Sequence, residues 1–352
     1  PVNNQMISLL PTLIYSKNPD KQLFTEQKSI EFSIKNNQVN DSNRMILHSN
    51  KTKAVGLVNL GMTCFLNAIL QQLYGIPAFR KTVIDYKGND SFLIELKNLF
   101  CKMSNFSLKS VSPYNLIQKL TNPDGSKFNI HEQQDASEYV ELLINKSSSI
   151  ISQEMFHGVL TKYICDKEKS QTEQHQIFSV LSVSLSDGST ELNQCLGSIH
   201  KKEYLDDGST YIEYFQSLPK YLVIQLNRFY FDKQEMTVKK KHQKILFPED
   251  LDMKSHLDPK SANQTNTMYH LCGVVIHSGT LQNKNSICHY FSFVKNRNTG
   301  EWYKFDDANT AKIDDINDIM KNANGEKTNA YLLFYDRDIN EEEEEEEDND
   351  EE

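Results

Sequence analysis

The sequence predicts an α+β fold, with helices in its first half, strands in its second, and a cleft where the two parts meet. Two observations carry this. From residue 56 to about 154, apolar residues recur at helical spacing, as in Phe92, Leu93, Leu96, Leu99 and Phe100. From about 155 they gather into short β-branched or aromatic runs between turn-rich loops. No internal repeat is present, and 352 residues, 38% of them hydrophobic, suffice for one large core or two smaller ones.

The elements follow in order. Residues 1–53 are polar and rich in Asn, Lys and Gln, with one strand predicted where Ile30, Phe32 and Ile34 alternate with polar neighbours. A helix opens at Cys64, because Phe65, Ile69, Leu70 and Leu73 share one face. Thr63 is its expected N-cap, and Gly75 with Pro77 ends it. Further helical stripes run through Tyr114, Leu116, Ile117 and Leu120, and through Tyr139, Leu142 and Leu143. Strands are expected over 178–185, 221–226, 271–276, 289–295, 301–306 and 330–335.

The net charge of −10 sits in the tail: residues 341–352 hold eleven acids and no base. The rest has 38 basic and 37 acidic residues, a net of +1, and gives no footing for a nucleic-acid or membrane partner. The tail is expected to be a disordered, solvated linker, with a basic partner as the alternative. No apolar run approaches the ~18 residues of a membrane span. Six cysteines without a Cys-x-x-Cys pair point to a reducing compartment, cytoplasmic or nuclear. A chain opening on Pro1 and closing on a charge run is expected to be one piece of a larger protein.

Cys64 is the residue around which chemistry can be built. At the first turn of a helix, unpaired N–H groups and the positive end of the dipole favour thiolate, the reactive form. A nucleophile of this kind needs a base, and the base an orienter. Of ten histidines, His48, His175, His200, His242 and His256 lie in polar stretches and read as surface residues. His289 opens a strand that runs through a turn, Asn296 to Gly300, into a second strand ending at Asp306 and Asp307. If the loop has four residues, 295 pairs with 300 and His289 falls opposite Asp306. A one-residue slip would break that pairing.

Taken together, these residues resemble the ubiquitin-specific proteases. The run from Gly56 through Asn59, Gly61 and Thr63 to Cys64 and Asn67 is similar to their cysteine box. Tyr269 to Gly279, His289-Tyr290 and Trp302 to Asp307 are similar to their histidine box. Between these lie Gln133 to Tyr139, Leu218-Pro219, Leu226 to Phe229 and Phe247-Pro248, in the family's order. The resemblance covers about residues 55–337, leaving a polar extension over 1–54 and the acidic tail over 338–352.

The resemblance implies a papain-like cysteine protease with a helical thumb (about 56–154) and a β-rich palm and fingers (about 155–337). It also implies hydrolysis of the bond after ubiquitin's C-terminal glycine, with ubiquitin and ubiquitinated proteins as partners and no cofactor. Cys64 is then the nucleophile, His289 the base, Asp306 the third triad member and Asn59 an oxyanion donor. Asp307 either orients a water or the oxyanion, or is a solvated acid at a strand end. Asp135 and Glu138, one turn apart on a helix beginning near Gln134, would meet the arginines of ubiquitin's tail. Gln133, Phe229, Phe231 and Tyr290 complete the expected substrate-binding set, with Phe229 and Phe231 on one side of their strand.

Two departures stand out. Many relatives bind zinc through paired Cys-x-x-Cys sites, but Cys165 is followed by Asp166, Lys167 and Glu168, and residues 211–217 hold no cysteine. No structural zinc is expected, because one thiol cannot supply four ligands. The base is preceded by Ile287-Cys288, where the family has glycine. A side chain there is expected to narrow the approach to the nucleophile, and it keeps open the alternative of an inactive ubiquitin-binding scaffold. A protease for another ubiquitin-like modifier is a second alternative, because the same fold serves both and no residue here separates them.

Overall fold

The computed structural model describes residues 54–122, 124–261, 266–279 and 288–337. The strand expected around Ile30, the acidic tail, Ile287 and the loop from residue 280 lie outside them.

The chain enters through β1 (Gly56–Leu57), which pairs in parallel with β2 (Ser110–Val111). Between them lie α1 (Cys64–Gly75), α2 (Pro77–Asp85) and α3 (Ser91–Met103). The apolar stripe read for α3 is its buried face: Phe92, Leu93, Leu96, Leu99 and Phe100 are each at most 5% exposed. Asp90 caps this helix, accepting from the N–H groups of Phe92 and Leu93 at 2.9 Å. The stripe at 114–120 forms only the short α4 (Tyr114–Ile117), and Tyr114 faces solvent. Next comes α5 (Ala136–Lys146).

The β-rich part contains two main sheets. Eight strands form the larger: β5 (Leu181–Ser184), β8 (Tyr221–Asn227), β11 (Asp250–Asp252), β12 (Met268–Ser278), β13 (His289–Lys295), β14 (Trp302–Asp306), β15 (Asn309–Ile313) and β16 (Thr328–Arg337). Their order is β15-β14-β13-β12-β16-β8-β5, with β11 beside β12. β12, β13 and β16 are buried almost throughout, which is why they read as near-continuous apolar runs. The small helices α6 (Leu192–Gly197) and α7 (Ile316–Ala323) pack against this sheet.

The second sheet joins β3 (Gly158–Cys165), β4 (Gln171–Phe178), β6 (Glu203–Tyr204) and β7 (Thr210–Ser217) in the order β4-β3-β7-β6. β4 is exposed at seven of its eight residues, so it has no alternating pattern for sequence to reveal. A short hairpin, β9 (Phe229–Asp232) with β10 (Thr237–Lys240), completes the strands.

Two apolar clusters fill the molecule. One unites the helices with one face of the large sheet, including Phe65, Tyr139, Tyr290 and Tyr331; the other fills the opposite face around Leu222, Val274 and Phe293. Helix α1 is therefore seated on the sheet, with every residue from 64 to 73 buried. Gly273 on β12 permits this approach, since a Cβ there would stand 1.8 Å from Gln72 Oε1. Gln72 then donates to the Phe293 carbonyl (2.9 Å), and the Arg297 guanidinium to the Gly75 carbonyl (3.1 Å). The end of the nucleophile-bearing helix is thereby tied to the hairpin that carries His289.

Candidate active site

Cys64 is the first residue of α1 and is 4% exposed. Thr63 stands at the N-cap position but makes no side-chain capping bond, contrary to expectation. Its hydroxyl instead donates to Asn59 Oδ1 (3.2 Å) and accepts from the Leu60 N–H (3.1 Å). Asn59 Oδ1 also accepts from the N–H groups of Gly61 and Thr63 at 3.0 and 3.2 Å, which fixes the loop before the helix. Gly61 belongs in this loop: its φ is +143°, and a Cβ would lie 2.5 Å from the Ile130 carbonyl oxygen.

Across the cleft, His289 Nε2 is 2.7 Å from Asp306 Oδ1. That leaves Nδ1 to face Cys64. The hydrogen bond to Asp306, then that to Cys64, pushes the His289 pKa up to about 10 against the opposing effect of burial. Reciprocally, the bond from His289, with Lys304 adding to it, holds Asp306 down at about 2.

The hairpin does not have the expected register. Lys295 pairs with Trp302 and Ser292 with Phe305, so the loop has six residues, closed by Asn296 and Glu301. Continued, this register sets His289 opposite 308 rather than Asp306. The displacement is two residues, and a two-residue shift keeps side chains on the same face. His289 therefore reaches Asp306 on the diagonal.

Asp307 is not a solvated acid. It adopts φ +52° after β14, and both carboxylate oxygens accept from amides: Oδ2 from Asn59 Nδ2 and Oδ1 from Asn67 Nδ2, each at 2.8 Å. Its carbonyl accepts from the Leu57 N–H at 2.9 Å. Asp307 thus links the nucleophile loop, the nucleophile helix and the histidine hairpin. Asn59, the expected oxyanion donor, uses one of its two amide N–H bonds in this link.

Two participants were not singled out from sequence. Asn67 lies three residues beyond Cys64, and its signal was a polar side chain inside an apolar helix. Lys304 Nζ lies 3.0 Å from Asp306 Oδ2 and 4.3 Å from the Phe291 ring centroid. The same-face i, i+2 relation of Lys304 and Asp306 was its signal.

The expected substrate residues divide. Asp135 is not on the exposed face of a helix: it is the N-cap of α5, which begins at Ala136, and is 6% exposed. Its carboxylate accepts from the Ser137 N–H and hydroxyl (both 2.7 Å) and from the Tyr331 hydroxyl (2.6 and 2.7 Å). Glu138 is half-buried, and burial with Asp135 nearby raises its carboxyl to about 7. Gln133 carries a buried Nε2 with no partner among the described residues. Phe229 packs on His277 and Tyr331 (ring centroids at 5.1 and 5.5 Å), whereas Phe231, expected beside it, is exposed. Tyr290 is buried against His277 at 4.8 Å and so contributes to an aromatic wall rather than a free surface. Cys288 is buried at 9% exposure, and burial first pushes its thiol pKa up, with Lys240 opposing and Cys64 adding to it.

His289, Asp306 and Asp307 form the one group of three metal-type ligands found among the described residues, with ligand atoms within 4.8 Å. Their atoms are engaged in the hydrogen bonds above, so an ion would have to displace amides and an imidazole.

A thiol at a helix start in a helical thumb, facing an imidazole–carboxylate pair on a β palm, defines a papain-like α+β architecture. The chain matches the ubiquitin carboxyl-terminal hydrolase family model over residues 55–335, and it belongs to that family. It is 28% identical over 284 residues to ubiquitin carboxyl-terminal hydrolase 5 of Schizosaccharomyces pombe, covering 74% of this chain and 25% of that protein. With ubiquitin carboxyl-terminal hydrolase 48 of Danio rerio the identity is 28% over 302 residues, 75% of this chain and 28% of the relative. Human ubiquitin carboxyl-terminal hydrolase 24 is 26% identical over 361 residues, 80% of this chain and 14% of that protein. The chain thus spans about a quarter or less of the length of these relatives.

Proposed function

We propose that this chain is the catalytic domain of a thiol-dependent deubiquitinase, hydrolysing the peptide or isopeptide bond after ubiquitin's C-terminal glycine. The observation that carries this reading is the alignment of Cys64 with the His289–Asp306 pair across the cleft of a ubiquitin carboxyl-terminal hydrolase fold. Cys64 gives its proton to His289 and attacks the glycine carbonyl; His289 then protonates the departing lysine amine. Water, deprotonated by the same imidazole, hydrolyses the thioester and frees Cys64. Asp306 holds the imidazole so that Nδ1 faces sulfur, and Lys304 holds Asp306.

The first-turn N–H groups of α1, which have no side-chain cap, are the donors we assign to the developing oxyanion. The second N–H of the Asn59 amide can join them while the first stays on Asp307. Glu138 and Gln133 are the residues we assign to the substrate tail: one is a half-buried carboxyl and the other carries an unsatisfied amide. Asp135 acts behind them, capping α5. Two glycines at a substrate's end pass between walls that a side chain would block, which gives specificity by exclusion.

All six cysteines are unpaired, which supports a reducing compartment, cytoplasmic or nuclear. No helix among the described residues is long and apolar enough to cross a membrane. The test is hydrolysis of a ubiquitin C-terminal fluorophore, which should be complete in wild type and absent in Cys64→Ala. Activity on another ubiquitin-like conjugate alone would move the assignment to that modifier.

A further inference from the structure

Lys240, the last residue of β10, is only 8% exposed, and no carboxylate among the described residues pairs with it. Its Nζ donates instead to three backbone carbonyls: those of His277 (3.0 Å), Gly279 (3.2 Å) and Lys327 (3.5 Å). These groups mark one corner of the large sheet. His277 and Gly279 flank Ser278, which pairs with His289 on one side and Thr328 on the other. The Gly279 N–H closes the corner by donating to the Lys327 carbonyl at 2.9 Å. A single ammonium therefore fastens the backbone on both sides of the residue against which His289 is registered.

Packing alone does not account for a lysine here. A methionine would fill a similar space without the cost of burying an unpaired charge. The neighbours sharpen the point, since Arg228 from the β8–β9 junction, His242 after β10 and His277 on β12 are all basic, and among the described residues the Cys288 thiol ahead of β13 is the one acidic group acting on it. Burial first, then Arg228, depresses the lysine to about 7, with Cys288 opposing. Such a residue is a poor stabiliser and a good fastener, because three carbonyls must converge on one point to satisfy it.

We infer that Lys240 is a positioning residue for the base: through three carbonyls it holds the β12–β13–β16 corner from which His289 reaches Cys64. The inference rests on the deubiquitinase reading for its consequence in catalysis, though not for its geometry.

Lys240→Met, which removes the donors, and Lys240→Gln, which keeps a shorter one, test it in the full chain. Four quantities are measured: iodoacetamide alkylation of Cys64 between pH 6 and 9, mapped by peptide mass; kcat and KM on the ubiquitin fluorophore; ubiquitin affinity in a Cys64→Ala background; and the thermal melt. For Lys240→Met, alkylation at pH 7 and kcat should each fall about tenfold, the scale of a sub-ångström misplacement. Ubiquitin affinity should stay within twofold, and Lys240→Gln should lie between. Alkylation and kcat within twofold of wild type would overturn the inference, as would losses that merely track the unfolded fraction or the affinity. If Lys240→Met does not melt cooperatively, Lys240→Gln decides by the same criteria. If the wild type does not hydrolyse ubiquitin, the substrate reading fails, and the ubiquitin-free alkylation still decides the role of Lys240.

Discussion

The two sides of the cleft are held in place by different physics. On the nucleophile's side, every residue from 64 to 73 is buried, and Phe65, Ile69, Leu70 and Leu73 of α1 have no exposed surface. On the base's side, the side chains of His289 and Asp306 remain 32% and 36% exposed, fixed by hydrogen bonds and a lysine. Packing places the thiol, and polar contacts place the imidazole. Substitutions on the first side should therefore be read in stability, and those on the second in activity and pH dependence.

The largest effect expected is an exception that sharpens this contrast. Cys64→Ala should abolish hydrolysis while preserving the melt and ubiquitin binding, because the thiol contributes chemistry rather than volume. Residual turnover above a few per cent would identify another nucleophile. Asp306→Ala should lower kcat by roughly 10²-fold or more, with the imidazole free to rotate and its pKa dropping towards the ordinary value.

The sign of the pH dependence follows from the same pair. His289, raised to about 10, contributes stability that is complete below its unfolded pKa of about 6.5 and lost as pH rises towards 10. Asp306, lowered to about 2, contributes stability present above its unfolded pKa of about 3.9 and lost as pH falls towards 2. The difference in melting temperature between wild type and Asp306→Asn should thus be flat from about pH 4 to 6.5 and shrink on both sides. A difference that grows above pH 7 would contradict the pairing.

On the packed side, Phe65→Ala should cost about 3–5 kcal/mol, since the ring is fully buried against Phe128 and Tyr139. Denaturant melts check this; a loss below about 1 kcal/mol would mean that α1 is not held by packing. Asp135→Asn should cost about 1–3 kcal/mol, weakening a cap and leaving the buried Tyr331 hydroxyl poorly matched. An effect confined to KM would restore Asp135 to the substrate surface. The smallest change is at Glu138. Its raised carboxyl means that ionisation opposes folding, so Glu138→Gln should raise the melting temperature slightly at pH 8 and not at pH 5. The same variant should raise KM for ubiquitin, more at pH 8 than at pH 6.

What was legible in the sequence follows the same divide. α1 and α3 could be read because a helix repeats its apolar face locally, within one turn of each residue. The His289 hairpin could be recognised, but its loop length could not: Asn296 to Gly300 signals a turn without fixing which residues close it. The site survives that error because the slip was even. Asp307 was opaque for another reason, since its partners Asn59 and Asn67 lie 248 and 240 residues away and no periodicity connects them. The strand β4 was invisible because both its faces meet water. Thr63 was misassigned as a cap because the same hydroxyl serves equally well to tie the preceding loop to Asn59.

The central claim is that Cys64 and His289 form a working pair that recognises ubiquitin's C-terminus. Incubating the domain with ubiquitin bearing a C-terminal electrophile, followed by intact and peptide mass measurement, tests it directly. One ubiquitin should add per chain, mapped to Cys64, with no adduct in Cys64→Ala and slower capture in Asp306→Ala. No adduct with the wild type, or an adduct on the exposed Cys101 that persists in Cys64→Ala, would contradict the account.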